Sequence, residues 1–286
     1  MEQDQHVVDP GTLSPRAVSL RQNWEVVPGT VLTAIGEQTG QIHSVVPAET
    51  GYSSHIAATL DTERGRVFVK GMRTGKGLAR TQQSEAAVNP HVTPIGPRLL
   101  WRVVTDGWDV LGFEYKNGRI ADFGQSSEDL PLVVATMTEV AGLAAPGLEL
   151  PSAEDRWGGY LERGADAALL RGDLLLHTDW HHTNLLVTPA NRMYVVDWAL
   201  AARGAAWIDP ACWVVWLVYA GHSAQEAERW AAKVPAWTAA PDGALDVFAS
   251  VLARYWQDIA DNHPNTMTYR LRDAAASWAS YRHARA

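Results

Sequence analysis

Between positions 174 and 197 the chain reads LLLHTDWHHTNLLVTPANRMYVVD, and this stretch restricts what can be built around it more than any other. Two short apolar runs, residues 185–187 and 193–196, flank a polar turn at 188–192 that contains Pro189, Ala190 and Asn191. Apolar β-type runs around such a turn predict a hairpin. A hairpin brings Asn184 and Asp197 to neighbouring strand ends. An amide oxygen and a carboxylate placed there are hard ligands suited to Mg²⁺, which takes few protein ligands and keeps several waters. Asp179 falls on the loop entering the hairpin, where it can accept a proton from an attacking hydroxyl. The alternative is a metal cluster of His177, His181 and His182, whose spacings suit zinc. That reading leaves Asn184 and Asp197 with no task.

The pattern H-x-D-x-x-x-x-N, then an apolar hairpin, then Asp197-Trp198-Ala199, resembles the catalytic segment of kinase-fold small-molecule phosphotransferases. The aminoglycoside phosphotransferase family, with its choline-kinase-like relatives, is the best match. Protein kinases carry the related H-R-D-x-x-x-x-N and D-F-G. Here Thr178 replaces the Arg, and Trp198-Ala199 replaces Phe-Gly. In protein kinases that Arg reads a phosphorylated activation loop, so its absence implies a constitutively active enzyme on a small substrate. The resemblance implies an α+β, two-lobed protein-kinase-like fold. An antiparallel β lobe (residues 1–112) precedes a mainly helical lobe (113–286). ATP and Mg²⁺ would be the cofactors, Asp179 the base, and Asn184 and Asp197 the metal ligands.

Composition narrows the partners. A formal net charge of −8 argues against nucleic acid and suits a cationic small-molecule acceptor. The single cysteine, Cys212, excludes an intramolecular disulfide framework and reads as core. The apolar run 211–220 is about half a membrane span. The opening residues lack a basic start and an apolar core, so no signal peptide is expected and a cytoplasmic location follows. The sequence leaves the oligomeric state open.

Taken in order, residues 24–40 show helical apolar spacing at Val27, Val31 and Ile35, with Pro28 in the first turn and Gly40 as the stop. Strands follow at 42–46, 56–60 and 67–69. The turn 47–55 occupies the place of a nucleotide loop, where Ser53 and Ser54 can face phosphates. It has only Gly51 in place of a G-x-G-x-x-G, and it reads equally as an ordinary hairpin loop. Lys70 ends the third strand and is one of only four lysines. By the resemblance it reaches the α/β-phosphates, paired to a helix glutamate, Glu85. Without it, the two read as an exposed strand lysine and a surface glutamate. Asp106-Gly107 predicts a tight turn between strands 98–104 and 108–114. The hinge between lobes then falls at Glu114 and Tyr115, whose backbone can pair with the adenine edge.

Beyond the hinge, Leu130, Val133, Met137 and Val140 predict a helix capped by Asp129, and a second helix is expected over 153–170. Asp209 is either a carboxylate that accepts backbone N–H groups of the catalytic loop, as the resemblance implies, or a helix cap before Pro210. Ser223 and Glu226 form a capping-box pattern. Trp213, Trp216, Trp230, Trp256 and Trp278 read as core. An aminoglycoside is the leading acceptor, and the alternatives are an amino sugar, choline-like compound or macrolide, or a catalytically inactive pseudokinase. The aminoglycoside's ammonium groups would meet an acidic rim drawn from Glu149, Glu154, Asp155, Glu162, Asp258 and Asp261, each of which reads alternatively as a solvated surface acid.

Overall fold

The computed structural model describes residues 23–48, 54–75 and 78–285. Helix α1 (Gly29–Thr39) buries Val31 and Ile35 one turn apart, and Gly40, with φ of 70°, ends it. Pro28 stands just before this helix rather than in its first turn, after a separate 3₁₀ turn at Trp24–Val26. Then come β1 (Ile42–Pro47), β2 (Ile56–Thr62), β3 (Gly65–Arg73), helix α2 (Leu78–Val92), β4 (Leu99–Thr105) and β5 (Trp108–Glu114). The five strands form one antiparallel sheet in the order β1-β2-β3-β5-β4. The β4–β5 turn has φ of 46° at Asp106 and 72° at Gly107, the two positive angles a tight hairpin turn needs.

Alternation along β3 decides what each sheet face does. Val67 and Val69 join Ile56, Leu60, Trp108 and Val110 in a core covered by Val27, Val31 and Ile35. Lys70 therefore turns to the opposite face, toward α2. The sheet ends at Glu114, and the rest of the described chain is helices and short strand pairs.

Strand β6 (Arg119–Ile120) pairs with β8 (Leu185–Val187), which pairs with β9 (Met193–Val195) as the expected hairpin. Strand β7 (Leu174–Leu176) pairs with β10 (Ala202–Gly204). Helix α3 (Leu130–Val140) has the expected apolar face, but Asp129 does not cap it through its side chain. That carboxylate takes a two-pronged contact from Arg119 and the N–H of Asp122 instead. The single helix expected over 153–170 is broken. Helix α4 (Ala153–Trp157) gives way to 3₁₀ turns at Gly158–Tyr160 and Gly164–Leu170. Gly158, Gly159 and Gly164 are poor helix formers, and the three fall within seven residues.

Helices α5 (Ile208–Tyr219), α6 (Ala224–Ala231), α7 (Ala244–Asn262) and α8 (Thr266–His283) close the core around Trp213, Phe248 and Trp278. The Ser223/Glu226 capping box forms, and Cys212 is buried as a free thiol. Among the described residues no helix is long and apolar enough to cross a membrane.

Candidate active site

Three segments distant in sequence meet at Lys70. Its ammonium lies 2.9 Å from Glu85 on α2 and 2.5 Å from Asp197, two residues past β9. Lys70 and Glu85 are 7% and 4% exposed, so the surface-lysine and surface-glutamate readings do not hold. Burial by itself would lower the Lys70 pKa, but Asp197 and Glu85 together hold it above the ordinary lysine range. Glu85 is pushed up by burial and by the nearby Asp197 charge, with Lys70 opposing. One cation thus serves two carboxylates. Asp197 has φ of 62°, a left-handed conformation that aspartate tolerates better than most residues.

Across from Asp197 sits the loop that β7 feeds. Asn184 Nδ2 donates to the Asp179 carboxylate at 2.9 Å and to the Asp179 carbonyl at 3.0 Å. With the nitrogen committed, the Asn184 side-chain oxygen is the atom left to act as a ligand. The Val196 N–H donates to the Asn184 carbonyl at 2.9 Å, which locks the loop to the strand end carrying Asp197. Burial raises the Asp179 pKa, the nearby Asp197 charge raises it further, and His177, Asn184 and Arg156 draw it down.

His177 is fully buried and its ring bridges the loop. Its Nδ1 accepts from the Asp179 N–H at 3.3 Å, so Nε2 carries the hydrogen and donates to the Val196 carbonyl at 3.0 Å. Asp209 accepts the N–H groups of both His177 and Thr178, at 2.9 and 2.8 Å. Since α5 begins one residue before it, Asp209 is the loop's anchor and not the helix cap. Its burial pushes its carboxyl up to about 6.

Sequence reasoning missed Arg156. Its guanidinium donates to the Thr178 hydroxyl and, at 2.8 Å, to the Leu200 carbonyl. Thr178 has φ of 67°, which for a β-branched residue is a strained backbone costing on the order of 1–3 kcal/mol. Nothing in one sequence links Arg156 to a residue 22 positions on, and a continuous 153–170 helix would have placed it on an ordinary helix face.

The His181 and His182 rings lie 4.2 Å apart, and each of the three histidines has further partners of its own. His181 Nδ1 lies 2.7 Å from Thr183 Oγ1, and the His181 ring packs 4.3 Å from Trp216. The His182 ring is edge-on to Phe123. Among the described residues no group of three or more His, Cys, Asp and Glu side chains is arranged to hold a metal ion.

From His181 a run of rings leads away from Asp179. Trp216 packs on Trp256 and Tyr219, Trp256 on Tyr255, and Tyr255 on Tyr160, with centroids 5.3–5.9 Å apart. Tyr160, Tyr219, Tyr255 and Trp256 are only partly buried. Trp216 is buried in the core as expected, whereas Trp256 packs on its edge and is partly exposed, so with the three tyrosines it forms a wall beside the loop. The Tyr160 hydroxyl donates to Asp258 at 2.8 Å. Tyr255 is pushed up to about 12 by burial, and the Asp179 charge acts on it in the same direction.

Five of the six acids of the expected rim have local partners. Glu154 pairs with Arg171 at 2.6 Å, and Asp155 closes a capping box with Ser152. Glu162 pairs with Arg254, and Asp261 accepts from Gln257. Asp258 accepts from the Tyr160 hydroxyl and, at 2.9 Å, from Asn262 Nδ2, and it stands against the aromatic wall; Glu149 is exposed ahead of α4. At the hinge, the Glu114 N–H donates to the Arg98 carbonyl at 2.8 Å, so that group is not available to an adenine. The Glu114 carboxylate pairs with Lys116 at 2.6 Å, and Arg66 lies over the Tyr115 ring. Ser54 is buried just ahead of β2, and Ser53 lies outside the described residues.

No family model and no curated protein matches the sequence. Solved structures do match in fold. The chain is similar to choline kinase LicA from Streptococcus pneumoniae, with a TM-score of 0.59 at 14% identity over 88% of this chain and 98% of that one. It is similar to a thermostable mutant of aminoglycoside phosphotransferase APH(4)-Ia, with a TM-score of 0.58 at 16% identity over 86% and 99%. A microcompartment-associated aminopropanol kinase gives 0.58 at 13% over 89% and 96%. The choline kinase has also been solved with AMP, and the aminoglycoside enzyme with ADP and hygromycin B. The protein therefore has the protein-kinase-like fold of the small-molecule kinases.

Proposed function

We propose that this protein transfers the γ-phosphoryl group of ATP to a hydroxyl of a small molecule, in a cleft between two lobes that divide near residue 113. The observation that carries the reading is the meeting of two constellations, Lys70–Glu85–Asp197 and Asp179–Asn184, across the β8–β9 hairpin. Lys70 binds the nucleotide phosphates, and Glu85 holds it in place. Asn184 and Asp197 fit Mg²⁺, since the amide presents its oxygen and the carboxylate lies beside the lysine that meets the phosphates. Held there, such an ion would supply positive charge against the phosphate oxygens. Asp179, aimed by Asn184, orients the acceptor hydroxyl and takes its proton as the phosphoryl group departs from ADP. Catalysis of this kind is mostly positioning and charge neutralisation. The nucleotide complexes of the structural neighbours support ATP as the donor.

For the acceptor, the partly exposed rings of Tyr160, Tyr255 and Trp256 beside Asp258 favour an alcohol that carries one ammonium group. Aromatic faces attract such a cation, and a single carboxylate balances it. A polycationic aminoglycoside, the leading expectation from sequence, would need rim acids that Arg171, Ser152 and Arg254 already engage. Release of ADP, measured across a panel of amino alcohols, quaternary ammonium alcohols, amino sugars, aminoglycosides and macrolides, tests both levels. Stimulation by the mono-ammonium alcohols supports the full reading, and stimulation by aminoglycosides alone would replace the acceptor class. Tight nucleotide binding with no stimulated turnover would identify a binding protein and reject the enzyme.

A further inference from the structure

We infer that Arg156 is a positioning residue for the transfer step, a guanidinium strut that fixes Asp179 relative to Asp197. The inference rests on the phosphotransferase reading above and adds a residue that neither the motif nor its spacing supplies. Asp179 and Asp197 sit on separate segments, and each segment is gripped one to three residues away by the same side chain. On the first, the Arg156 guanidinium donates to Thr178 Oγ1, next to Asp179. On the second it donates to the Leu200 carbonyl at 2.8 Å, three residues past Asp197. Thr178 Oγ1 also donates to that Leu200 carbonyl at 2.8 Å, so the three groups form a closed triangle.

The backbone explains why a strut is needed here. Thr178 and Asp197 both hold left-handed φ values, 67° and 62°. Such conformations persist only where the surroundings over-determine them. Asp209 fixes Thr178 from the backbone side, through its N–H. Arg156 fixes it from the side-chain side. The base of the strut is firm as well. Helix α4 starts with a reciprocal capping box between Ser152 and Asp155, and Ser152 bridges to Arg203 of β10.

A plain packing role does not account for the residue. Among the described residues Arg156 touches no carboxylate, its Nε has no hydrogen-bond partner, and burial lowers its pKa. An apolar side chain of similar length would fill the space without burying a charge. What the guanidinium adds is its planar fork, which reaches a hydroxyl and a carbonyl on two segments at once.

The test uses the full chain, with folding, nucleotide affinity and steady-state kinetics measured on each variant. Arg156→Met is expected to lower kcat by about 100-fold, the cost of a displacement near 1 Å at a reacting group, while KM and nucleotide affinity stay within about threefold. Arg156→Lys keeps the charge without the fork and should recover less than a tenth of the lost rate. Thr178→Val should lower kcat in the same way, and Arg156→Met/Thr178→Val should be no slower than the worse single variant. If Arg156→Met fails to fold, Thr178→Val and Thr178→Ser carry the test, with Ser expected to be much the less impaired. Folded Arg156→Met with kcat within twofold of wild type, additive losses in the double variant, or full rescue by Lys would each overturn the inference. Absence of acceptor-dependent turnover in the wild-type chain would instead remove the phosphotransferase reading, and this inference with it.

Discussion

Replacing Lys70 by Met removes a buried cation shared by Glu85 and Asp197, and the structure sets the size of the response. Lys70 and Glu85 are nearly inaccessible and 2.9 Å apart, and Asp197 is 2.5 Å from the same ammonium. Removing one partner from a buried pair costs about 3–5 kcal/mol, because the other charge stays desolvated. Glu85 recovers part of that by taking up a proton, since burial and Asp197 already raise its pKa. The net loss should be about 2–4 kcal/mol, read as a lower urea midpoint at an unchanged slope. Lys70→Met/Glu85→Gln should regain more than half of it, because the more deeply buried of the two carboxylates is then neutral. Nucleotide affinity should fall by roughly 10–100-fold in both variants, the worth of one charge-assisted contact of about 1.5–3 kcal/mol. A single variant with stability within 0.5 kcal/mol of wild type, by the standard of roughly neutral surface substitutions, and with unchanged nucleotide affinity would refute the shared-cation geometry.

His181 is held down to about 3, first by burial and then by the charge of His182. The folded state then refuses a proton that the unfolded chain accepts below about pH 6.5. Stability present above that pH is lost as pH falls toward 3, by about 2 kcal/mol at pH 5. Urea unfolding of His181→Gln at pH 7.5 and 5 should show a correspondingly smaller drop than wild type. Asp197→Ala should abolish Mg²⁺-dependent nucleotide binding in calorimetry, and equal Mg²⁺-dependent affinity in that variant would contradict the ligand assignment. Trp256→Ala and Asp258→Asn should each raise acceptor KM about tenfold with kcat within twofold, the worth of one cation–π or charge-assisted contact. Unchanged KM in both would place the acceptor elsewhere.

The legible parts of this chain were those whose signals are local. Asp106-Gly107 marked its turn, Ser223 and Glu226 their cap, and the spacing of Asn184 and Asp197 around two apolar runs marked the hairpin that joins them. Lys70 could be placed on its strand, but only the fold shows that its face of the sheet meets α2. What escaped was side-chain traffic between distant segments. Arg156 and Leu200 lie 44 positions apart, and the helix expected over 153–170 breaks into 3₁₀ turns that leave Tyr160 against Tyr255 of α7. The acids of the expected rim were visible as charges. Their engagement with Arg171, Ser152 and Arg254 became visible only when the helices packed. The aromatic wall was hidden for a related reason, since a tryptophan at helical spacing looks the same whether it fills a core or faces a cleft.

Acceptor-dependent ADP formation by wild type and Asp179→Asn, measured in parallel with nucleotide affinity, is the most direct measurement of the central claim. The amide keeps the shape of the side chain and removes the charge that takes the hydroxyl proton. Robust turnover is expected for wild type, with a loss of about 10²–10⁴-fold for Asp179→Asn and nucleotide affinity within about twofold. Turnover retained within a few-fold by Asp179→Asn would contradict Asp179 as the base and, with it, the chemistry assigned to this site.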